Sequence, residues 1–176
     1  MREALQRKKR VHYIEELKRS GLKIGENVHF AADFFLDPSH CFLIHIGSNV
    51  TFAPNVRLIA HDASTKLFVG FTRIGMVSIL DNCFIGDSVI VLPGTRIGPR
   101  VIVGAGSVVT KDIPENSVAG GNPARVICTL DEYLAKREHA AVESGIFDRE
   151  YHIENITPEA RAELLARLSS GHGFIV

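Results

Sequence analysis

Apolar residues return at every sixth position over much of this chain. Ile24, Phe30 and Leu36 open the series. Ile46, Phe52 and Leu58 resume it after a short break, and Ile79, Ile85, Val91, Ile97, Val103 and Val109 continue it after a longer one. The next residue is Gly or Ala at many of these steps (Gly25, Ala31, Gly47, Ala53, Gly86, Gly98, Gly104). The fourth residue after each is small or β-branched, as at Val28, Val50, Val56, Val89, Thr95, Val101 and Ser107. A period of six suits neither an amphipathic helix nor an alternating strand. It is the mark of a parallel β-helix built from hexads, in which each hexad gives one short strand and one corner. The apolar residue points into a narrow shaft that the stacked coils close over one another. Gly and Asn serve the corners because they tolerate positive φ.

Two breaks interrupt the rhythm. His40 to His45 carries extra residues between hexads, and Asp62 to Val77 is a longer loop containing Lys66, Phe68, Phe71 and Arg73. A mixed apolar and basic loop leaving a regular solenoid serves a site more often than it merely joins strands. Before the hexads, residues 2–20 read as a helix with Tyr13, Ile14 and Leu17 on one face and Gly21 as its stop. After them, Thr129-Leu130-Asp131-Glu132 has capping-box spacing, which opens a helix to about Val142. Thr157-Pro158 reads as an N-cap and first helical residue, with Leu164, Leu165 and Leu168 as the buried stripe. The expected fold is therefore mainly β. It has an N-terminal helix in residues 1–22, a β-helix in 23–127 with a loop at 62–77, and a helical C-terminal extension in 128–176.

The formal net charge is +0 and the pI near 7.1, which argues against a dedicated nucleic-acid binder. The basic run Arg7-Lys8-Lys9-Arg10 is short and reads as a solvated helix face, with an anionic lipid or phosphate-bearing substrate as the other reading. Cys41, Cys83 and Cys128 are odd in number and lack CxxC spacing, so neither a disulfide framework nor a zinc knuckle is expected. There is no apolar run long enough to span a bilayer and no apolar signal stretch. A cytoplasmic protein is expected.

The hexads, the segment Phe52-Ala53-Pro54-Asn55-Val56-Arg57-Leu58 with His61 close behind it, and the closing stretch Gly104 to Pro114 followed by Gly121-Asn122-Pro123-Ala124-Arg125-Val126-Ile127 carry a resemblance. Over roughly residues 24–127 the chain resembles the left-handed β-helix hexapeptide-repeat acyltransferases, in particular the sugar O-acetyltransferase and xenobiotic acetyltransferase branch. The resemblance alone implies the left hand, since parallel crossovers are normally right-handed. It also implies a homotrimer, with acetyl-CoA as co-substrate in a groove between neighbouring coils and no metal.

Acyl transfer from a thioester needs a base for the attacking hydroxyl or amine, donors for the developing oxyanion, and a grip on the CoA. A neutral imidazole suits the first task. His61 lies at a corner position and starts the long loop, which leaves it either a surface histidine at a loop edge or a base. The resemblance implies the base. It further implies a polar partner from an earlier coil of the adjacent subunit, which by register is Asp33, where sugar-acetylating relatives carry Asn. Asp87, at the turn where backbone donors for the oxyanion would lie, stands where relatives often have Ser or Ala. Phe84 stands where they often have Trp along the pantetheine channel. Ala105 matches the residue lining the pantetheine. Thr110 and Lys111 match the nucleotide end and Arg125 the phosphates, where cations suit the CoA charge. Cys83 occupies a shaft-facing position and reads as core, although a cysteine nucleophile exists in principle.

The resemblance implies a sugar hydroxyl as acceptor, on a polysaccharide precursor or small saccharide. The alternative is N-acetylation of an amino sugar or nucleotide-linked amino sugar, with an antibiotic or serine acceptor behind it. Two other readings share the coil. A γ-class carbonic anhydrase needs three zinc-binding histidines, and His40 and His45 have the spacing of its pair, but His61 follows the pair where that family places its lone histidine before it. A catalytically silent scaffold is the second.

Overall fold

The computed structural model describes residues 2–169 and 171–176, and side chains from residue 8 onward apart from Ser170. Of the basic run, the side chain of Arg7 lies outside the described residues. Contacts divide the chain into two units, Met1–Leu130 and Asp131–Val176.

In the first unit, helix α1 (Arg2–Arg19) ends at Gly21, whose φ of +103° an L side chain rarely adopts. Leu17 of this helix is buried, and Tyr13 packs on the same core. The Tyr13 hydroxyl donates to the carbonyl of Leu36 at 3.3 Å.

The hexads then wind round three faces. Strands Lys23–Ile24, Ile44–Ile46, Val77–Ile79 and Thr95–Ile97 form the first. His29–Phe30, Thr51–Phe52, Phe84–Ile85 and Val101–Val103 belong to the second. Phe34–Leu36, Val56–Leu58, Ile90–Val91 and Val108–Val109 form the third. Pairing along each of these rows is parallel, and successive strands visit the faces in turn. Three hexads thus carry the chain once round.

Register follows the sixth-position residues. Ile46 pairs with Ile79, and Ile79 with Ile97. Phe52 pairs with Ile85, and Leu58 with Val91. All of these are buried, as are Val50, Val56, Val89, Thr95, Val101 and Ser107 at the second inward position. Each fully buried Val, Leu, Ile or Phe contributes about 1.5–3 kcal/mol of apolar transfer. Neither break in the sequence shifts this register, because each leaves and rejoins at a corner.

The corners take the left-handed conformation at Asn27, Asn49, Asn55, Asn82, Ser88, Arg100 and Asn116, with Gly94 and Gly106 at equivalent turns. Three of the asparagines stack. Asn27 Nδ2 donates to Asn49 Oδ1 at 3.1 Å, and Asn49 Nδ2 to Asn82 Oδ1 at 3.2 Å.

The coil closes with an isolated parallel bridge between Ile97 and Ile113 on the first face. On the second face Ser117–Gly120 adds in parallel to Val101–Val103, and Arg125–Thr129 folds back antiparallel on it.

The second unit contains helix α3, which starts at the boundary (Leu130–Ser144), and a parallel pair of short strands, Ile146–Phe147 with Phe174–Ile175. Its last helix is α4 (Pro158–Leu168), a short α2 (Lys66–Val69) lying in the coil's long loop. Thr157 caps α4, its Oγ1 accepting from Ala160 N–H at 3.2 Å. Phe147 is buried beneath the Arg167 guanidinium, 4.3 Å from its ring centre. The expected three-leucine stripe is narrower than its pattern. Leu164 and Leu168 are half-buried, but Leu165 is 67% exposed. No helix among the described residues is long and apolar enough to cross a membrane.

The asparagine stack combines a strained conformation with a side-chain ladder, and substitution separates the two. Asn49→Gly keeps the left-handed turn and loses the ladder. Asn49→Ala loses both, and should cost about 1–2 kcal/mol more than Asn49→Gly. Urea denaturation should rank the proteins wild type, Asn49→Gly, Asn49→Ala in descending midpoint with an unchanged slope.

Candidate active site

Both breaks leave the coil at the same corner, between the third face and the first. The first follows Leu36 and the second follows Leu58, and these two residues are paired neighbours on the third face. The residues just beyond them are therefore brought together. Asp37 N–H donates to Leu58 O at 3.0 Å, which continues the pairing one step past the strand.

Asp37 is fully buried. Its Oδ2 accepts from Ala60 N–H at 3.0 Å and its Oδ1 from Ser39 N–H at 3.1 Å. His61 Nδ1 bonds to the same Oδ2 in a short contact. Burial by itself pushes the Asp37 carboxyl up. The bonds from His61, Ala60 and Ser39 and the charge of His61 outweigh it and hold the carboxyl below its ordinary value. An ionised Asp37 accepts, which places a proton on His61 Nδ1. The His61 side chain is one-third exposed. A buried carboxylate holding one nitrogen of a part-exposed imidazole is an arrangement that can orient a general base.

The long loop is a hairpin. His61–Asp62 pairs antiparallel with Arg73–Ile74, and helix α2 (Lys66–Val69) forms its tip. Arg73 anchors the loop to the next coil by donating to Pro93 O at 2.7 Å. Thr65 Oγ1 donates to Phe71 O at 3.2 Å across the tip. Asp62 accepts from Ser64 N–H, and that bond, with Arg73 and His61 adding by charge, holds its carboxyl low. Leu67, Phe68 and Phe71 are largely exposed.

His40 lies in the shorter break, just before the turn Cys41–Leu43. Its ring is 5.0 Å from that of His61. His40 Nδ1 is buried and has no hydrogen-bond partner among the described residues. One ligand atom each from Asp37, His40 and His61 lies within 4.8 Å of the others. His45 is not part of this group. The histidine pair weighed for a carbonic anhydrase is therefore not what converges here.

The remaining sequence candidates are distributed along the coil. Asp33 is exposed in a cleft of about 230 Å³ with Asn55 and Arg57, and within the chain His61 is bonded to Asp37 instead. Lys111 and Arg125 share a cleft of about 290 Å³ with Asp112, Ile113 and Val126. Thr110 is half-buried beside it in sequence, and Ala105 is exposed at a corner. Phe84 is 45% exposed on the second face, between Thr51 and Ile102. Asp87 is exposed, its Oδ2 accepting from Ser88 Oγ at 2.8 Å and its carbonyl from Gly106 N–H. Ser88 N–H is spent on Pro54 O at 2.9 Å, so it is not an open oxyanion donor. Cys83 is buried and donates to Gly98 O. Burial, with the Asp81 charge adding, pushes its thiol up to about 11. A thiol held protonated is a poor nucleophile.

Asp37 is the residue that motif reading passes over. Its signal is positional: it directly follows Leu36 as Ile59 follows Leu58, one step short of the turn that carries Ala60 and His61.

A family model described as bacterial transferase hexapeptide (six repeats) matches residues 76–111. The putative acetyltransferase YvoF of Bacillus subtilis (strain 168) is 33% identical over 120 residues, covering 68% of this chain and 67% of that protein. The chain belongs to the hexapeptide-repeat acyltransferase family. Among solved structures, a maltose O-acetyltransferase from Clostridium difficile 630 superposes with a TM-score of 0.55 at 46% identity, covering 62% of this chain and 59% of that one. A hexapeptide-repeat-containing acetyltransferase from Vibrio cholerae O1 biovar eltor, complexed with acetyl coenzyme A, gives a TM-score of 0.55 at 27% identity, covering 62% of this chain and 61% of that one. Several other curated relatives are matched over little more than half of their length.

Because Asp37 is held low, its contribution to stability is complete above the ordinary carboxylate range. It is lost as pH falls through the lowered value. Asp37→Asn should therefore lower stability by about 1–3 kcal/mol at pH 7. The two proteins should converge in strongly acidic solution, as urea denaturation at the two pH values would show.

Proposed function

We propose that this chain is an acetyl-CoA-dependent O-acetyltransferase acting on a sugar hydroxyl, with His61 as general base and Asp37 as the residue that orients it. The observation that carries the reading is the buried Asp37–His61 pair at the corner where the long loop leaves the coil. His61 Nε2 removes the proton of the acceptor hydroxyl as that oxygen attacks the thioester carbonyl. The tetrahedral intermediate collapses with cleavage of the C–S bond. The imidazolium returns its proton to the departing thiolate, giving the acetyl ester and free CoA with no covalent enzyme intermediate.

The likeness to a maltose O-acetyltransferase supports the sugar hydroxyl, and the acetyl-CoA complex of the Vibrio protein supports the donor. Lys111 and Arg125 face one cleft at the closing end of the coil and suit the CoA phosphates. Phe84 and Ala105, both exposed, suit the pantetheine, with Thr110 and Asp87 beside that track. In this reading the coil is left-handed and the molecule a cytoplasmic homotrimer. The donor groove lies between neighbouring copies, and Asp33 of one copy faces the acceptor held at His61 of the next.

The test is a transfer assay with acetyl-CoA against sugars, amino sugars and serine. Ester formation on a saccharide is expected, and amide formation on an amino sugar would replace the acceptor assignment. His61→Ala should lower kcat about 10²–10⁴-fold with its circular dichroism unchanged. A folded variant with full activity would refute the mechanism. Lys111→Ala and Arg125→Ala should each raise KM for acetyl-CoA several-fold and leave kcat within about twofold, since they would grip parts of the donor remote from the reacting carbonyl.

A further inference from the structure

We infer that Asp37, His40 and His61 form a binding site for a first-row divalent metal of borderline softness, Zn²⁺ or Co²⁺, and that metal bound there switches the site off. Three observations meet at this corner. One ligand atom from each of the three side chains lies within 4.8 Å of the others. His40 Nδ1 is buried and has no hydrogen-bond partner among the described residues. A buried polar atom without a partner costs free energy, and an ion is one way of supplying that partner. The carboxylate is already fixed by Ala60 N–H and Ser39 N–H, which is the outer support that metal-ligating carboxylates usually have.

Two imidazoles and one carboxylate form a ligand set suited to zinc and its neighbours rather than to calcium or magnesium. Bonds of about 2.0–2.2 Å to a tetrahedral ion bring donor atoms to within about 3.3–3.6 Å of one another. His61 Nδ1 and Asp37 Oδ2, in direct contact here, part by about an ångström to admit the ion, or His61 presents Nε2 instead; side-chain rotation supplies either. His61 is one-third exposed, so the ion has a path from solvent, and a water molecule fills the fourth position.

The chemical consequence is the same whichever nitrogen of His61 the metal takes. If it takes Nε2, the lone pair that would accept the hydroxyl proton is occupied. If it takes Nδ1 in place of the proton shared with Asp37, the neutral ring carries its one proton on Nε2, and that atom becomes a donor. Either way the ring stops being a base. The binding claim is independent of any reaction. The claim of inhibition rests on the acetyltransferase reading above. His40 has no part in the proton transfer described for that reaction, so its removal separates the two.

The experiment uses the full chain, freed of metal with a chelator and dialysed. Titration with Co²⁺, followed by its visible absorption, is expected to show one equivalent bound per chain at micromolar metal with the intensity of a four-coordinate site. His40→Ala should weaken binding at least tenfold, and His40→Gln should do the same as a check that a packing defect is not responsible. In the acetyl-transfer assay, Zn²⁺ at matching concentrations should inhibit the wild type reversibly. The His40 variants, active within about twofold of wild type in chelator, should resist it. No stoichiometric binding, or equal binding by wild type and both variants, would overturn the site. Full activity of the metal-loaded wild type would overturn the switch alone. A chain that binds metal and transfers no acetyl group to any acceptor would keep the site and remove the functional reading.

Discussion

Everything in the first unit hangs on the parallel register of buried residues along each face. Ile46 on Ile79 on Ile97, Phe52 on Ile85 on Val103, and Leu36 on Leu58 on Val91 are three interior columns running along the coil. A column tolerates no slip, because a one-residue shift would turn every inward residue outward. Insertions are therefore confined to corners, where the chain can leave without disturbing a column. Both insertions in this chain use the same corner, one coil apart. That coincidence sets carboxylate beside imidazole: Asp37 stands at the root of one excursion and His61 at the root of the other.

The same constraint explains how the site is held still. Asp37 is anchored by Leu58 O through its own N–H and by Ala60 and Ser39 through its carboxylate. His61 inherits its orientation from that carboxylate. The hairpin above it is tied to the next coil through Arg73 and Pro93. The His61 ring thus rests on groups belonging to the stacked columns. The loop tip, with exposed Leu67, Phe68 and Phe71, is tied down by far less.

The coil was legible in the sequence because a hexad states its own geometry: each sixth residue is a buried position, and from Ile79 to Val109 nothing intervenes. The place of His61 at the mouth of the long loop was legible from the hexad register, and the burial of Cys83 from its place in the shaft. Asp37 was not. It belongs to no motif, and its role depends on a neighbour far away in sequence that only the column pairing brings near. Asp33 drew attention by register, yet within the chain it faces Asn55 and Arg57. In the second unit the leucine pattern of α4 overstated burial. The core there is little more than Phe147 with Leu168 and Gly173 against it, too thin to cover Leu165 as well.

Arg125–Thr129 turns back antiparallel on Ser117–Gly120 at the closing end of the second face. A stack of parallel strands has no natural end, since its last coil presents open N–H and C=O groups to any passing strand. Reversing direction there occupies that edge on the second face with a strand that is itself irregular, its register shifting between Val118 and Ala119. On this face, one backward turn of chain fills the place where a further parallel coil would pair.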